Sequence, residues 1–129
     1  MALILGLTLP ALTRSYQQEQ DRAALRQLAG ACRLARSQAA TQRQRVRLFL
    51  DLRTGSYRLE RSSRGGELTG MRLGEAHLVW LDNEKRRGYI AFYGDGSSSG
   101  GLLTLQDRRG RRHVLEVEII TGKVSFRSG

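Results

Sequence analysis

The chain has 129 residues, 40% of them apolar, and carries 22 Lys and Arg against 12 Asp and Glu, a formal charge of +10. That length makes one domain of ordinary size, and that apolar share excludes a disordered basic tail. The single cysteine, Cys32, excludes an intrachain disulfide framework and a cysteine-based zinc site, and His77 and His113 stand too far apart for a His-rich metal motif. Charge is uneven: residues 13–64 hold 12 Arg and 4 acids (+8), whereas residues 65–129 hold 10 basic and 8 acidic residues (+2). A nucleic-acid footprint would therefore fall mainly on the first half.

Residues 1–12 are apolar apart from Thr8. As a helix they would reach about 18 Å, short of the roughly 30 Å hydrocarbon core. No basic stretch precedes the apolar run, so a secretory signal peptide is a poor fit. The segment is expected to be either a buried helical end or the second half of a membrane helix, with on the order of ten residues before it.

From Thr13 to Gln42 there is no proline, and Leu25, Leu28, Cys32, Ala35 and Ala39 recur at spacings of 3, 4, 3 and 4. This is one face of an amphipathic helix, expected to be core, with Cys32 as a small buried apolar residue. Arg22, Arg26, Arg33, Arg36 and Arg43 occupy the other faces.

After Gln44 the period changes from 3.6 to 2. Val46, Leu48, Leu50 and Leu52 alternate with Arg45, Arg47, Asp51 and Arg53, and Thr54-Gly55 turns the chain into a strand at residues 57–60. Residues 61–70 read as a polar loop, 77–81 as a strand holding the single Trp80, 82–88 as a charged turn and 89–93 as a strand. A loop at 94–101 follows, then a hairpin of 102–106 and 113–120 around Asp107–Arg111, and a last strand at 123–126 after the Thr121-Gly122 turn. One long helix followed by about seven short strands predicts an α+β fold with an antiparallel sheet or β-sandwich. The expected division is a helix at 1–43, amphipathic over 14–43, and a β domain at 44–129.

Gly96-Ser97-Ser98-Ser99-Gly100 matches the G-x-S-x-G nucleophile elbow, but that motif needs a strand-to-helix turn in a large parallel sheet, and a strand follows here. The loop also lacks the Lys-Ser/Thr ending of a phosphate-binding Walker loop and the spacing of an EF-hand. Asp-Gly-Ser runs adopt turns and bind their own backbone. Asp51, Glu60, Glu116 and Glu118 read as single carboxylates facing water. No catalytic, metal or cofactor constellation is expected.

The segment Phe92-Tyr-Gly94-Asp95-Gly96-Ser97-Ser98-Ser99-Gly100-Gly101, the hairpin with Gly110 and the closing Thr121-Gly122-Lys-Val resemble the carboxy-terminal signature of H-type minor pseudopilins of the bacterial type II secretion system. The helix and the Arg36–Ala40 run are similar too. The resemblance implies a pilin-like fold and a structural role at or near the tip of a short periplasmic pseudopilus. Its partners would be other minor pseudopilins, the major pseudopilin and the inner-membrane secretion machinery, with the amino-terminal helix in the membrane before assembly. The Gly94–Gly101 loop is expected to contact neighbouring subunits. The family's basic leader, cleavage site and early helix glutamate have no counterpart in the first residues, so residues 1–13 are expected to be the middle of that helix. The alternative is a DNA-binding minor pilin of type IV pili, with Arg108, Arg109, Arg111 and Arg112 of one hairpin contacting phosphates. A four-arginine tip can equally be a solvated turn that discourages edge pairing.

Overall fold

A computed structural model describes the backbone of residues 2–128 and the side chains of residues 19–128. The membrane or filament-core expectation for residues 1–13 concerns side chains outside that range. One helix, α1 (Ala2–Gln42), is followed by nine strands: β1 (Val46–Asp51), β2 (Ser56–Leu59), β3 (Gly65–Glu67), β4 (Arg72–His77), β5 (Val79–Trp80), β6 (Arg87–Phe92), β7 (Gly101–Gln106), β8 (Arg112–Val117) and β9 (Val124–Ser128). They form two antiparallel sheets, ordered β3-β2-β1-β6-β5 and β4-β7-β8-β9. Among the described residues, no helix is long and apolar enough to cross a membrane.

The helical stripe is core. Leu25, Leu28, Cys32, Ala35 and Ala39 are all buried, joined by Ala29 and Ala31. They seat α1 against β1, β2, β3 and β6 of the first sheet and β9 of the second. Each fully buried leucine contributes roughly 1.5–3 kcal/mol, and the alanines let the backbone approach closely. Burial pushes the Cys32 thiol up to about 12, although nearby Arg33 pulls the other way.

The helix ends in a left-handed residue, Arg43 at φ 51°, and the Gln44 amide donates to the Ala39 carbonyl at 3.3 Å. That six-to-one bond is a Schellman cap. The alternation in β1 is realised through Leu50: Val46, Leu48 and Leu50 are buried, opposite Phe92, Ile90 and Gly88 of β6, whereas the strand ends at Asp51 and Leu52 lies half-buried in the following turn.

Several boundaries differ from the sequence reading. The loop at 61–70 contains β3, which pairs with β2 through Ser56–Glu67, Tyr57–Gly66 and Arg58–Gly65. The strand expected at 77–81 is realised only as the short β5, which pairs with β6; residues 72–77, not read as a strand, form β4, which pairs with β7, and the chain changes sheet at Leu78. The turn read at 82–88 ends sooner, because β6 begins at Arg87. The strand read at 113–120 stops at Val117. Ile119 and Ile120 have the β-branched shape of strand residues, but the Glu118–Lys123 turn overrides their propensity and leaves them 63% and 86% exposed.

Candidate functional site

Two clusters gather the residues singled out in the sequence, one at the carboxy-terminal end of α1 and one halfway along it. At the carboxy-terminal end lies the Gly94–Gly101 loop. Phe92, fully buried at the end of β6, fixes its start. The Tyr93 amide donates to the Ser97 carbonyl at 2.9 Å, and Gly96, at φ 93°, donates its amide back to the Tyr93 carbonyl at 3.1 Å. Asp95 Oδ1 accepts from the Ser97 amide (3.0 Å) and hydroxyl (2.6 Å), and these bonds hold its carboxyl below the usual range. Asp95 is spent on its own turn, as the Asp-Gly-Ser chemistry predicts.

Ser98 is buried. Its amide donates to the Ile119 carbonyl at 2.7 Å, and its hydroxyl donates to the Glu118 carbonyl at 2.5 Å while accepting from the Gly100 amide at 3.0 Å. Ser99 exchanges bonds with Ala91: its amide donates to the Ala91 carbonyl, and its hydroxyl accepts from the Ala91 amide, both at 2.9 Å. Gly101 opens β7 against the Ile90 side chain. The nucleophile-elbow serine therefore staples the loop to the β8–β9 turn.

Backbone contacts extend this knot. A Cβ on Gly94 would sit 2.9 Å from the Arg43 backbone, so only glycine lets the loop abut the helix cap. A Cβ on Gly122, at φ 65°, would meet the Gly96 carbonyl oxygen at 2.5 Å. Arg36 donates to the Thr121 carbonyl at 3.0 Å, and the Thr121 hydroxyl donates to Glu118 Oε2 at 2.6 Å. Helix end, loop and closing turn form one unit, from whose surface Tyr93, Ile119 and Ile120 project.

The second cluster is the Asp107–Arg111 hairpin. Asp107 Oδ1 accepts from the amides of Arg109 and Arg111, both at 2.9 Å, and its Oδ2 lies 3.0 Å from His113 Nε2. Burial alone would raise this carboxyl, but the bonds from His113, Arg111 and Arg109 outweigh it and bring it below the usual range. His113 Nδ1 lies 2.8 Å from the Ser128 hydroxyl, and its ring stacks on Phe126 with centroids 5.8 Å apart. The imidazole thus joins Asp107 and Ser128, not Ser98. Its nitrogens are used opposite to a serine-protease triad, with Nδ1 on the hydroxyl and Nε2 on the carboxylate. The bonds of Asp107 close the hairpin.

The four hairpin arginines do not act together. Arg108, Arg109 and Arg111 line a cavity with Arg22 and Arg26 of α1, whereas Arg112, the first residue of β8, faces a different groove with Arg72. Arg108 is drawn to the helix: its amide donates to Asp21 Oδ2 at 3.4 Å, its Nε lies 3.9 Å from Asp21 Oδ1, and its Nη2 donates to the Thr69 carbonyl at 3.4 Å.

Two features escaped the sequence reading. Asp21 is 5% exposed and stands four residues before Leu25, so it continues the stripe by one helical step. A carboxylate at a stripe position implies a basic partner from the sheet, which Arg108 supplies. Glu60, expected to face water, is part-buried under Arg47, which donates to it through its amide and Nη2, both at 2.8 Å. Those bonds hold Glu60 below the usual range against its burial. The Arg47 guanidinium also lies 4.9 Å and 5.4 Å from the ring centroids of Phe49 and Tyr89. Among the described residues, no three His, Cys, Asp or Glu side chains gather as metal ligands.

This architecture is shared with a solved structure, the minor pseudopilin EpsH from the type 2 secretion system of Vibrio cholerae, at a TM-score of 0.64 and 10% sequence identity. The match covers 84% of this chain and 96% of that one, and at such identity it speaks for the fold. A comparison with curated proteins finds no match. Residues 24–120, from the helical stripe through the stapled loop to the β8–β9 turn, match the family described as type II transport protein GspH, and the chain belongs to that family.

Proposed function

We propose that this minor pseudopilin is a non-enzymatic structural subunit at or near the tip of the periplasmic pseudopilus, where it helps move folded proteins across the outer membrane. Before assembly the amino-terminal part of α1 holds it in the inner membrane. The observation that carries this reading is the division of labour along the helix. The stripe from Leu25 to Ala39 is consumed by the β domain, while the knot at its far end is rigid, internally satisfied and tipped with apolar side chains. A rigid tip with Tyr93, Ile119 and Ile120 in solvent suits packing against a neighbouring pseudopilin. The loop itself positions that surface.

The test is a secretion strain in which Ile119→Asp/Ile120→Asp replaces the wild-type chain. Both side chains already face solvent, so the melting temperature should stay within a few degrees of wild type. Co-purification with the other minor pseudopilins and export of a folded exoprotein should both fall at least tenfold. Normal export with normal co-purification would overturn the reading.

A further inference from the structure

The cavity between α1 and the Asp107–Arg111 hairpin has a volume of about 670 Å³ and is lined by Asp21, Arg22, Leu25, Arg26, the hairpin, His113, Phe126 and Ser128. Five guanidiniums (Arg22, Arg26, Arg108, Arg109, Arg111) meet two carboxylates there, and Arg22 is also paired with Glu19 at 3.5 Å on the neighbouring helix turn. Both carboxylates are committed, Asp21 to Arg108 and Asp107 to His113 and two backbone amides. The Arg26 and Arg111 side chains make no hydrogen bond or ion pair among the described residues. Leu25 and Phe126 supply an apolar wall beside this charge. A concave site with surplus guanidiniums and an apolar flank fits a phosphate diester attached to an apolar body.

The position along the helix selects the source. Arg22 lies ten residues beyond Leu12, the end of the apolar run, so its Cα is about 15 Å further along the axis. Long side chains on a helix lean toward its amino terminus, which carries the guanidiniums of Arg22 and Arg26 back toward that run. We propose that this cavity binds the phosphate of an anionic phospholipid headgroup and orients the β domain on the membrane before assembly. The proposal rests on the membrane-seated reading of the helix given above.

The test is flotation of the full chain with phosphatidylcholine vesicles and with vesicles containing one quarter phosphatidylglycerol. Three proteins are compared: wild type, Arg26→Gln/Arg111→Gln, and Arg33→Gln/Arg58→Gln, which removes the same charge from exposed positions outside the cavity. Wild type should prefer the anionic vesicles, and the cavity pair should reduce that preference roughly thirtyfold, the about 2 kcal/mol that two basic residues contribute at an anionic surface. The control pair should retain most of the preference. An equal loss in both pairs, or none in the cavity pair, would overturn the site. Binding of inorganic phosphate that the cavity pair loses, in a wild type that shows no preference between the two vesicle types, would assign the cavity to free phosphate and overturn the lipid source. Loss of retention on a short DNA duplex by the cavity pair, with vesicle binding intact, would overturn it in favour of nucleic acid. Failure of the wild type to float with neutral vesicles would speak against the membrane seat alone, because the cavity is read from the difference between vesicle types.

Discussion

Two turns packed against α1, one at its carboxy-terminal end and one halfway along it, put the same aspartate cap to different uses. Both turns are held against α1 and both use an aspartate to cap their own backbone, but residues 94–101 are otherwise Gly and Ser, whereas residues 107–111 carry three arginines. At the Gly94–Gly101 end, polar groups of the loop find partners in the closing turn and glycines allow backbone to touch backbone. At the Asp107–Arg111 turn, the capping aspartate is joined by a surplus of cations that surround a cavity. The same aspartate cap therefore belongs to a structural joint in one place and to a charged recess in the other. What decides between them is whether neighbouring chain segments present carbonyls or guanidiniums.

The sharpest way to break this contrast is at Gly122. Its positive φ and the Gly96 carbonyl 2.5 Å from a prospective Cβ put backbone strain and a clash at one atom. Gly122→Ala should cost about 3 kcal/mol in urea unfolding, combining a left-handed alanine with local overpacking. Gly96→Ala, at φ 93° with no atom within 4 Å of its Cβ, should cost only about 1 kcal/mol. Cys32 offers an independent reading. Fully buried, with its thiol pushed up to about 12, it should react with a thiol reagent at pH 8 only when the core opens. Labelling should accelerate strongly in Gly122→Ala and modestly in Gly96→Ala. Equal costs at the two glycines would mean that the knot is not closed by that contact.

Next in size is Ser98→Ala. Removing the hydroxyl strips the Gly100 amide of its acceptor and takes one donor from the Glu118 carbonyl, which keeps the Gly122 amide. The expected cost is about 1.5 kcal/mol, measured by urea unfolding. An unchanged midpoint would reduce Ser98 to a spectator and leave the glycine contacts to hold the joint.

These joints show what was legible beforehand. The helical stripe, the alternation of β1 and the Asp95–Ser97 turn are written in local spacing, because each depends on residues within one or two turns of chain. Partners across the sheets are not written there. Nothing near Ser98 signals that its hydroxyl bonds a carbonyl twenty residues away, nor does anything near His113 point to Ser128. Both follow from the register of β7, β8 and β9, which only the paired sheet defines. Asp21 is an intermediate case: its place on the stripe was visible, and its need for a cation follows from burial, but the choice of Arg108 depends on how the hairpin docks. The strand at residues 72–77 was hidden for a different reason: a register shift between Leu73 and Ala76 breaks its alternation, and only pairing with β7 defines it.

The smallest expected effect lies at the charged turn and is best seen through pH. Asp107 is held below the usual carboxylate range in the folded chain, so its ionised form binds the fold more tightly than its protonated form. Its contribution is therefore fully present above the unfolded carboxylate value of about 4 and is lost as pH falls through the lower folded value. Asp107→Asn keeps an oxygen for the Arg109 and Arg111 amides but replaces the carboxylate oxygen facing His113 with an amide group that has no charge to offer it. At pH 7 the variant should be less stable by about 1 kcal/mol in urea unfolding. As the pH is lowered below 4, the gap between wild type and variant should close, because the wild type loses the same charge by protonation. A gap that stays constant with pH would mean that shape and backbone bonds hold the hairpin, with its carboxylate charge contributing nothing. The contrast between the two turns would then narrow to their surroundings, with the guanidiniums around the cavity as its remaining basis.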